Sequence, residues 1–214
     1  FNPLGEKKLK LVYLILLKMR FLFFPLFIFF ISPINASVES DVFFESLEAH
    51  QFFSASFEQK TIDEGKERVI QGEIIADRSG KFKIKYFHPL YETIFSDGQY
   101  LYRYDPELEQ ANVQPLDELL RETPIGLFTL NVNEIKELFS VSNCSKKLSK
   151  LKCSLTSTNE ESFIKQIVIR LNKGIIFYLG YEDTFNQNIS ITFKHASLNK
   201  IPADKFKFII PRGC

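Results

Sequence analysis

The chain has 214 residues, 45% of them apolar, which is enough for one sizeable core and too short for two well-packed domains. Its 23 Phe, with no Trp and one Met, favour strands and apolar cavities. Residues 1–36 hold five of the 27 Lys and Arg but one of the 26 acids, so the remainder carries 22 basic and 25 acidic side chains. That near-neutral body lacks a phosphate-binding surplus, which argues against nucleic acid as a partner.

At the N-terminus, Met19-Arg20 opens an uncharged run over residues 21–31, and Ser32-Pro33-Ile34-Asn35-Ala36 closes it with a helix breaker and a small residue. A basic start, a short apolar stretch and a small-residue end are the anatomy of a secretory signal peptide, expected over residues 19–36 with cleavage after Ala36. A membrane anchor that also uses residues 11–17 is the alternative. Lys18 and Arg20 interrupt that span, and neither half reaches the ~20 apolar residues needed to cross a bilayer. Residues 1–18 are expected to be an upstream extension and residues 37–214 a single soluble domain.

After Ser40, a fair N-cap, residues 41–53 carry Phe43, Phe44 and Leu47 at helical spacing and predict one amphipathic helix. The pattern then changes to period two. Lys81-Phe82-Lys83-Ile84-Lys85-Tyr86 alternates without exception, and Ile189-Ser190-Ile191-Thr192-Phe193-Lys194 repeats it. Similar stretches at 55–62, 69–77, 93–96, 100–104, 110–114, 163–171, 175–181 and 206–210 are also expected as strands. Turn signals stand at Glu64-Gly65, Asp97-Gly98, Asn172-Lys173-Gly174 and Asn186. Residues 116–139 break the alternation and suggest short helices, with Leu116, Leu119 and Leu120, then Leu127 and Phe128, then Val132, Ile135 and Leu138. The fold class is therefore mainly β (α+β), a single curved antiparallel sheet with short helices on one side. A sheet of many strands coils toward a barrel, and if the helices close its open side rather than fill it, an apolar cavity remains.

Cys144 and Cys153 stand nine apart around Ser-Lys-Lys-Leu-Ser-Lys-Leu-Lys. A hairpin there permits a disulfide in an oxidising compartment, and two unpaired thiols are the equal alternative. Cys214 has no evident partner. Without a Cys-x-x-Cys pair or clustered His, neither a metal site nor a cofactor is expected.

Collinear motifs then point to a family. Ala55-Ser56-Phe57-Glu58-Gln59 is similar to the Ala-x-Phe-x-Gln that opens the first strand of LolA proteins. It is followed by Gln71-Gly72-Glu73-Ile74, Arg78-Ser79-Gly80-Lys81-Phe82, a long match from Ser96-Asp97-Gly98 to Asp105-Pro106, Thr123-Pro124, and a final match from Phe206-Lys207-Phe208 to Pro211-Arg212-Gly213. The resemblance covers nearly all of the body. Ser79 stands where the family has Pro, and Tyr86 and Tyr102 stand where it often has Trp.

The resemblance implies an unclosed β-barrel with an α-helical lid over a hydrophobic cavity. It also implies a monomeric periplasmic carrier of acylated lipoproteins, which receives them from an inner-membrane ABC exporter and delivers them to an outer-membrane acceptor. A general periplasmic lipid or glycolipid binder on the same scaffold is the alternative. The expected lining is Ile74, Phe82, Ile84, Ile167, Ile169, Ile191 and Phe193 on strands, facing Leu119, Leu127 and Phe128 on helices. Arg78 matches the family's latch, an Arg that holds the lid by hydrogen bonds and releases it when cargo enters. A guanidinium suits this because it offers five donors in a fixed fork. No catalytic residues are expected: His50, His88 and His195 are scattered, and the nine Gly form no phosphate-cradling motif.

Overall fold

In a computed structural model of the protein, residues 35–87, 89–116, 120–121, 123–209 and 211 are described, all within the compact unit Asn35–Cys214. The expected signal peptide lies outside them except for Asn35 and Ala36. These two residues begin α1 (Asn35–Glu48).

Two antiparallel meanders follow. The first comprises β1 (Phe52–Asp63), β2 (Lys66–Asp77), β3 (Lys81–Tyr86), β4 (Glu92–Asp97), β5 (Tyr100–Asp105) and β6 (Gln110–Pro115). After α2 (Gly126–Thr129) and α3 (Val132–Leu138), the second comprises β7 (Phe139–Lys147), β8 (Lys150–Ser157), β9 (Ile164–Asn172), β10 (Ile175–Asp183) and β11 (Asn188–Ser197). Pairing of β1 with β11 joins them into one 11-stranded sheet in the order β6-β5-β4-β3-β2-β1-β11-β10-β9-β8-β7. The sheet is all antiparallel, and β6 and β7 are its unpaired edges, so the barrel is not closed.

This topology places the helices. The chain leaves the first meander at one edge and enters the second at the other, so the segment between β6 and β7 has to cross the open side of the curled sheet. Its sequence suits a crossing rather than an edge strand: Pro124 and Gly126 break the alternation, and Asn131 and Glu134 close a capping box that starts α3. Phe128 of α2 packs on Phe53 and Phe193 of the sheet, with ring centroids 4.4 and 5.5 Å away. α1 covers the second meander, burying Phe43 and Leu47.

Local chemistry explains the tight hairpins. Glu64 and Gly65 at φ 48° and 77°, and Lys173 and Gly174 at 50° and 78°, all take the left-handed conformation that matches the twist of paired strands. Gly72 answers a different need, since a Cβ there would stand 2.4 Å from the Lys85 carbonyl oxygen and 2.5 Å from the Phe57 ring. The bare backbone lets Phe57 lie across β2.

Three expectations are corrected. The first helix spans 35–48 rather than 41–53: Ser40 lies inside it, and Phe52 and Phe53 already belong to β1, where Phe53 points into the core. The stretch expected as a strand over 206–210 is not one in its described residues, 206–209. A 3₁₀ turn, Ala203–Phe206, precedes an extended segment whose Phe208 lies 4.8 Å from Phe95 and 5.7 Å from Tyr104. The alternation of Phe206 and Phe208 thus serves packing on the sheet rather than pairing at an edge. Finally, β7 and β8 are full strands, where only a local hairpin around the cysteines was expected.

Candidate functional site

Between the curled sheet and the crossing helices lies a cavity of about 550 Å³, within the range of small-molecule sites. Its walls are mostly apolar. Phe57, Ile74, Phe82 and Ile84 come from β1–β3, Leu179, Ile191 and Phe193 from β10 and β11, and Ile125 and Phe128 from the crossing segment. The first meander forms one wall and the end of the second forms the other, an arrangement only a curled sheet permits.

The residues expected to line the cavity divide. Ile74, Phe82, Ile84, Phe128, Ile191 and Phe193 all border it. Leu127 is buried at 1% exposure, while Ile167 and Ile169 at 0% sit in closed core, and none of the three borders the cavity. Leu119 lies outside the described residues. α1 packs on β7 and β8, whereas the cavity lies between β1–β6, β10, β11 and the crossing segment, which touches the sheet through Phe128.

Arg78 follows β2 at the end of the cavity floor, where its own N–H donates to the Gln51 carbonyl oxygen. Its guanidinium reaches both helical layers. Nη1 donates to the Leu130 carbonyl oxygen, and Nη2 donates to those of Leu47 at 2.9 Å and Leu127 at 3.3 Å. All three acceptors are at helix C-termini, where carbonyls lack intrahelical donors. Arg78 Nε is buried without a partner. Burial pushes the guanidinium down to about 10, which leaves it charged at neutral pH.

Sequence reasoning missed the neighbours of Arg78 and the polar part of the lining. His50 is 2% exposed, between α1 and β1. Its Nε2 donates to the Gly174 carbonyl oxygen at 2.7 Å, and its Nδ1 has no partner. Burial lowers its pKa, the Gly174 bond raises it, and the nearby Arg78 charge lowers it further. A lone His gives no sequence signal of this kind. Tyr86, Tyr181, Gln59 and Arg103 line the cavity. Tyr86 was legible, because it continues the inward side of Phe82 and Ile84. Arg103 donates through Nε and Nη2 to the buried Glu92 carboxylate, which raises the Arg103 pKa.

Cys144 and Cys153 are joined by a disulfide across the β7–β8 hairpin. Among the described residues, no three His, Cys, Asp or Glu side chains are grouped as metal ligands.

Residues 48–209 match the family model described as outer membrane lipoprotein carrier protein LolA. The outer-membrane lipoprotein carrier protein of Pseudomonas entomophila is 32% identical over 174 residues, covering 78% of this chain and 82% of its own. That of Chromohalobacter salexigens is 29% identical over 170 residues, covering 78% and 80%. Among solved structures, an uncharacterised conserved protein from Thermus thermophilus shares the fold with a TM-score of 0.51 at 7% identity, over 83% of this chain and 94% of that one. A LolA superfamily protein from Nitrosomonas europaea matches at a TM-score of 0.47 and 10% identity, over 79% and 97%. With the family model spanning both meanders and the crossing between them, the chain belongs to the LolA family of outer-membrane lipoprotein carriers.

Proposed function

We propose that the protein is a periplasmic carrier of acylated lipoproteins rather than an enzyme. A signal peptide over residues 19–36 sends it across the inner membrane. There it takes acyl chains from an ABC exporter into the cavity, acts as a monomer, and delivers its cargo to an acceptor at the outer membrane. Arg78 is the latch between sheet and lid, and the six lining residues named above, with Leu127 behind them, form the apolar shelter.

The observation that carries this reading is the cavity itself, apolar and spanned by helices that hang on Arg78. Each methylene of an acyl chain withdrawn from water is worth ~0.8 kcal/mol, so an unshielded chain costs on the order of 10 kcal/mol and does not cross unaided.

The test is displacement of a neutral hydrophobic dye from the mature protein. An acylated lipoprotein should displace it and the same lipoprotein without acyl chains should not. Failure of a folded sample to bind the dye would return the cavity to ordinary core. Equal displacement by an unrelated glycolipid, with only glycolipid co-purifying, would favour the general lipid binder.

A further inference from the structure

We propose that Tyr86 and Tyr181 form a carbonyl-binding site inside the cavity, donating hydrogen bonds to the ester or amide oxygens through which acyl chains are attached to cargo. The inference rests on the carrier reading and adds a polar recognition element to an otherwise apolar shelter.

Tyr86 ends β3 on the same side as Phe82 and Ile84, and its ring is held edge-on by Phe57 at 5.6 Å and 85°. Phe57 in turn lies across Gly72, so the ring position is built into the sheet. Tyr181 stands on β10 two residues after Leu179, on the opposite wall. Among the described residues, no hydrogen bond is made to either hydroxyl. Neither hydroxyl is among the buried polar atoms sealed off without a partner, so both open on the cavity and can donate to an occupant.

The charge of the chamber decides what that something is. Arg103 and Asp183 are the ionised side chains of the described lining. Arg103 is occupied by Glu92. Asp183 Oδ1 accepts the backbone N–H groups of Phe185 and Gln187, both at 2.9 Å, and so closes the β10–β11 turn. Both charges serve the fold, so no cation is left to hold a phosphate or a free carboxylate. Burial raises the Tyr86 and Tyr181 hydroxyls to about 12, so at neutral pH both remain protonated donors. Neutral donors in an apolar, charge-balanced chamber suit a neutral acceptor, and the carbonyl of an acyl ester or amide is one.

The experiment compares 1,2-dioctanoylglycerol with its 1,2-dioctyl ether, which keeps the chains and the free hydroxyl but lacks both carbonyls. Each displaces a neutral hydrophobic dye from the full mature protein, wild type and Tyr86→Phe/Tyr181→Phe. Wild type should prefer the ester roughly tenfold, the size of one to two neutral hydrogen bonds. The double variant keeps both rings and should bind the two lipids equally, each displacement being referred to that variant's own dye affinity. Equal displacement by ester and ether in wild type would overturn the proposal, as would an ester preference that survives in the double variant. If neither glycerolipid nor an acylated lipoprotein displaces the dye from wild type, the carrier reading itself fails, which is a separate result.

Discussion

Replacing Arg78 with Leu separates a latch from a structural brace. Three donated hydrogen bonds are lost, each worth about 1.5–3 kcal/mol when the donor is charged. Against them stands the burial that holds this guanidinium down to about 10, a cost on the order of 3 kcal/mol that Leu does not incur. The Leu47 carbonyl also keeps the His50 N–H at 3.0 Å, so it is not orphaned. With the Leu47 bond discounted, the net loss of stability is about 0–3 kcal/mol, which for a chain of this size lowers the melting temperature by at most roughly 12 °C. The sheet and its Phe core, which Arg78 does not touch, retain the rest. The assay pairs thermal melting with uptake of an acylated lipoprotein and its release to acceptor membranes. Arg78→Leu should take up cargo but hand over less of it, because a lid whose carbonyls have lost their donor no longer gains free energy by closing as cargo leaves. Equal handover by variant and wild type would refute the latch, and a fall of more than about 15 °C would show a structural brace instead.

Other expectations follow from single contacts. His50 is held neutral by burial, so the folded chain binds fewer protons than the unfolded chain once pH falls below the ordinary histidine value near 6.5. Stability should be at its plateau above that pH and decline below it, and His50→Gln should flatten the decline in melting curves taken between pH 7.5 and 5. Gly72→Ala should cost about 1–3 kcal/mol in urea unfolding, since its Cβ meets backbone and the Phe57 ring together. The same variant should weaken dye binding by moving Phe57 and, with it, Tyr86. Opening the Cys144–Cys153 bridge closes off a short loop's constraint, so Cys144→Ser/Cys153→Ser should lose about 2–3 kcal/mol and wild type should lose the same on reduction.

Most of the sheet was legible because period two is a direct image of burial on one face. Lys81-Phe82-Lys83-Ile84-Lys85-Tyr86 is β3, and the Glu64-Gly65 and Lys173-Gly174 signals are its kin in the hairpins. The pattern is weaker on β7, an edge strand whose Ser and Lys side chains face solvent on a face that no other strand covers, as edges require. Period two also cannot tell a pairing strand from an extended segment laid on a sheet, which is why 206–210 was misread. The site was legible only in part for a related reason. Ile84 and Ile169 occupy the same kind of position in the same pattern, yet one borders the cavity and the other is closed core. What separates them is which distant segments lie over each position, a property of the tertiary arrangement rather than of either strand. Arg78 carries no such pattern either, and only its place in a collinear motif marked it.

The energetics of the proposed cycle constrain how it can run. Burial of one long acyl chain, on the order of 10 kcal/mol, exceeds the few kcal/mol by which Arg78 holds the lid, so loading from water can open the latch. The reverse step gains nothing from the cavity, because a chain leaving it for water recovers only the latch. Release therefore requires a destination that buries the chain at least as well, such as a bilayer or a second apolar site, and the latch contributes its hydrogen bonds to that exchange. A polar pair such as Tyr86 and Tyr181 adds to binding only while a carbonyl lies within reach. It holds cargo in register without adding the hydrophobic affinity that would have to be matched at delivery. Strengthening the apolar lining should thus favour uptake and slow handover, whereas removing the two hydroxyls should reduce selectivity and leave handover to a membrane largely intact.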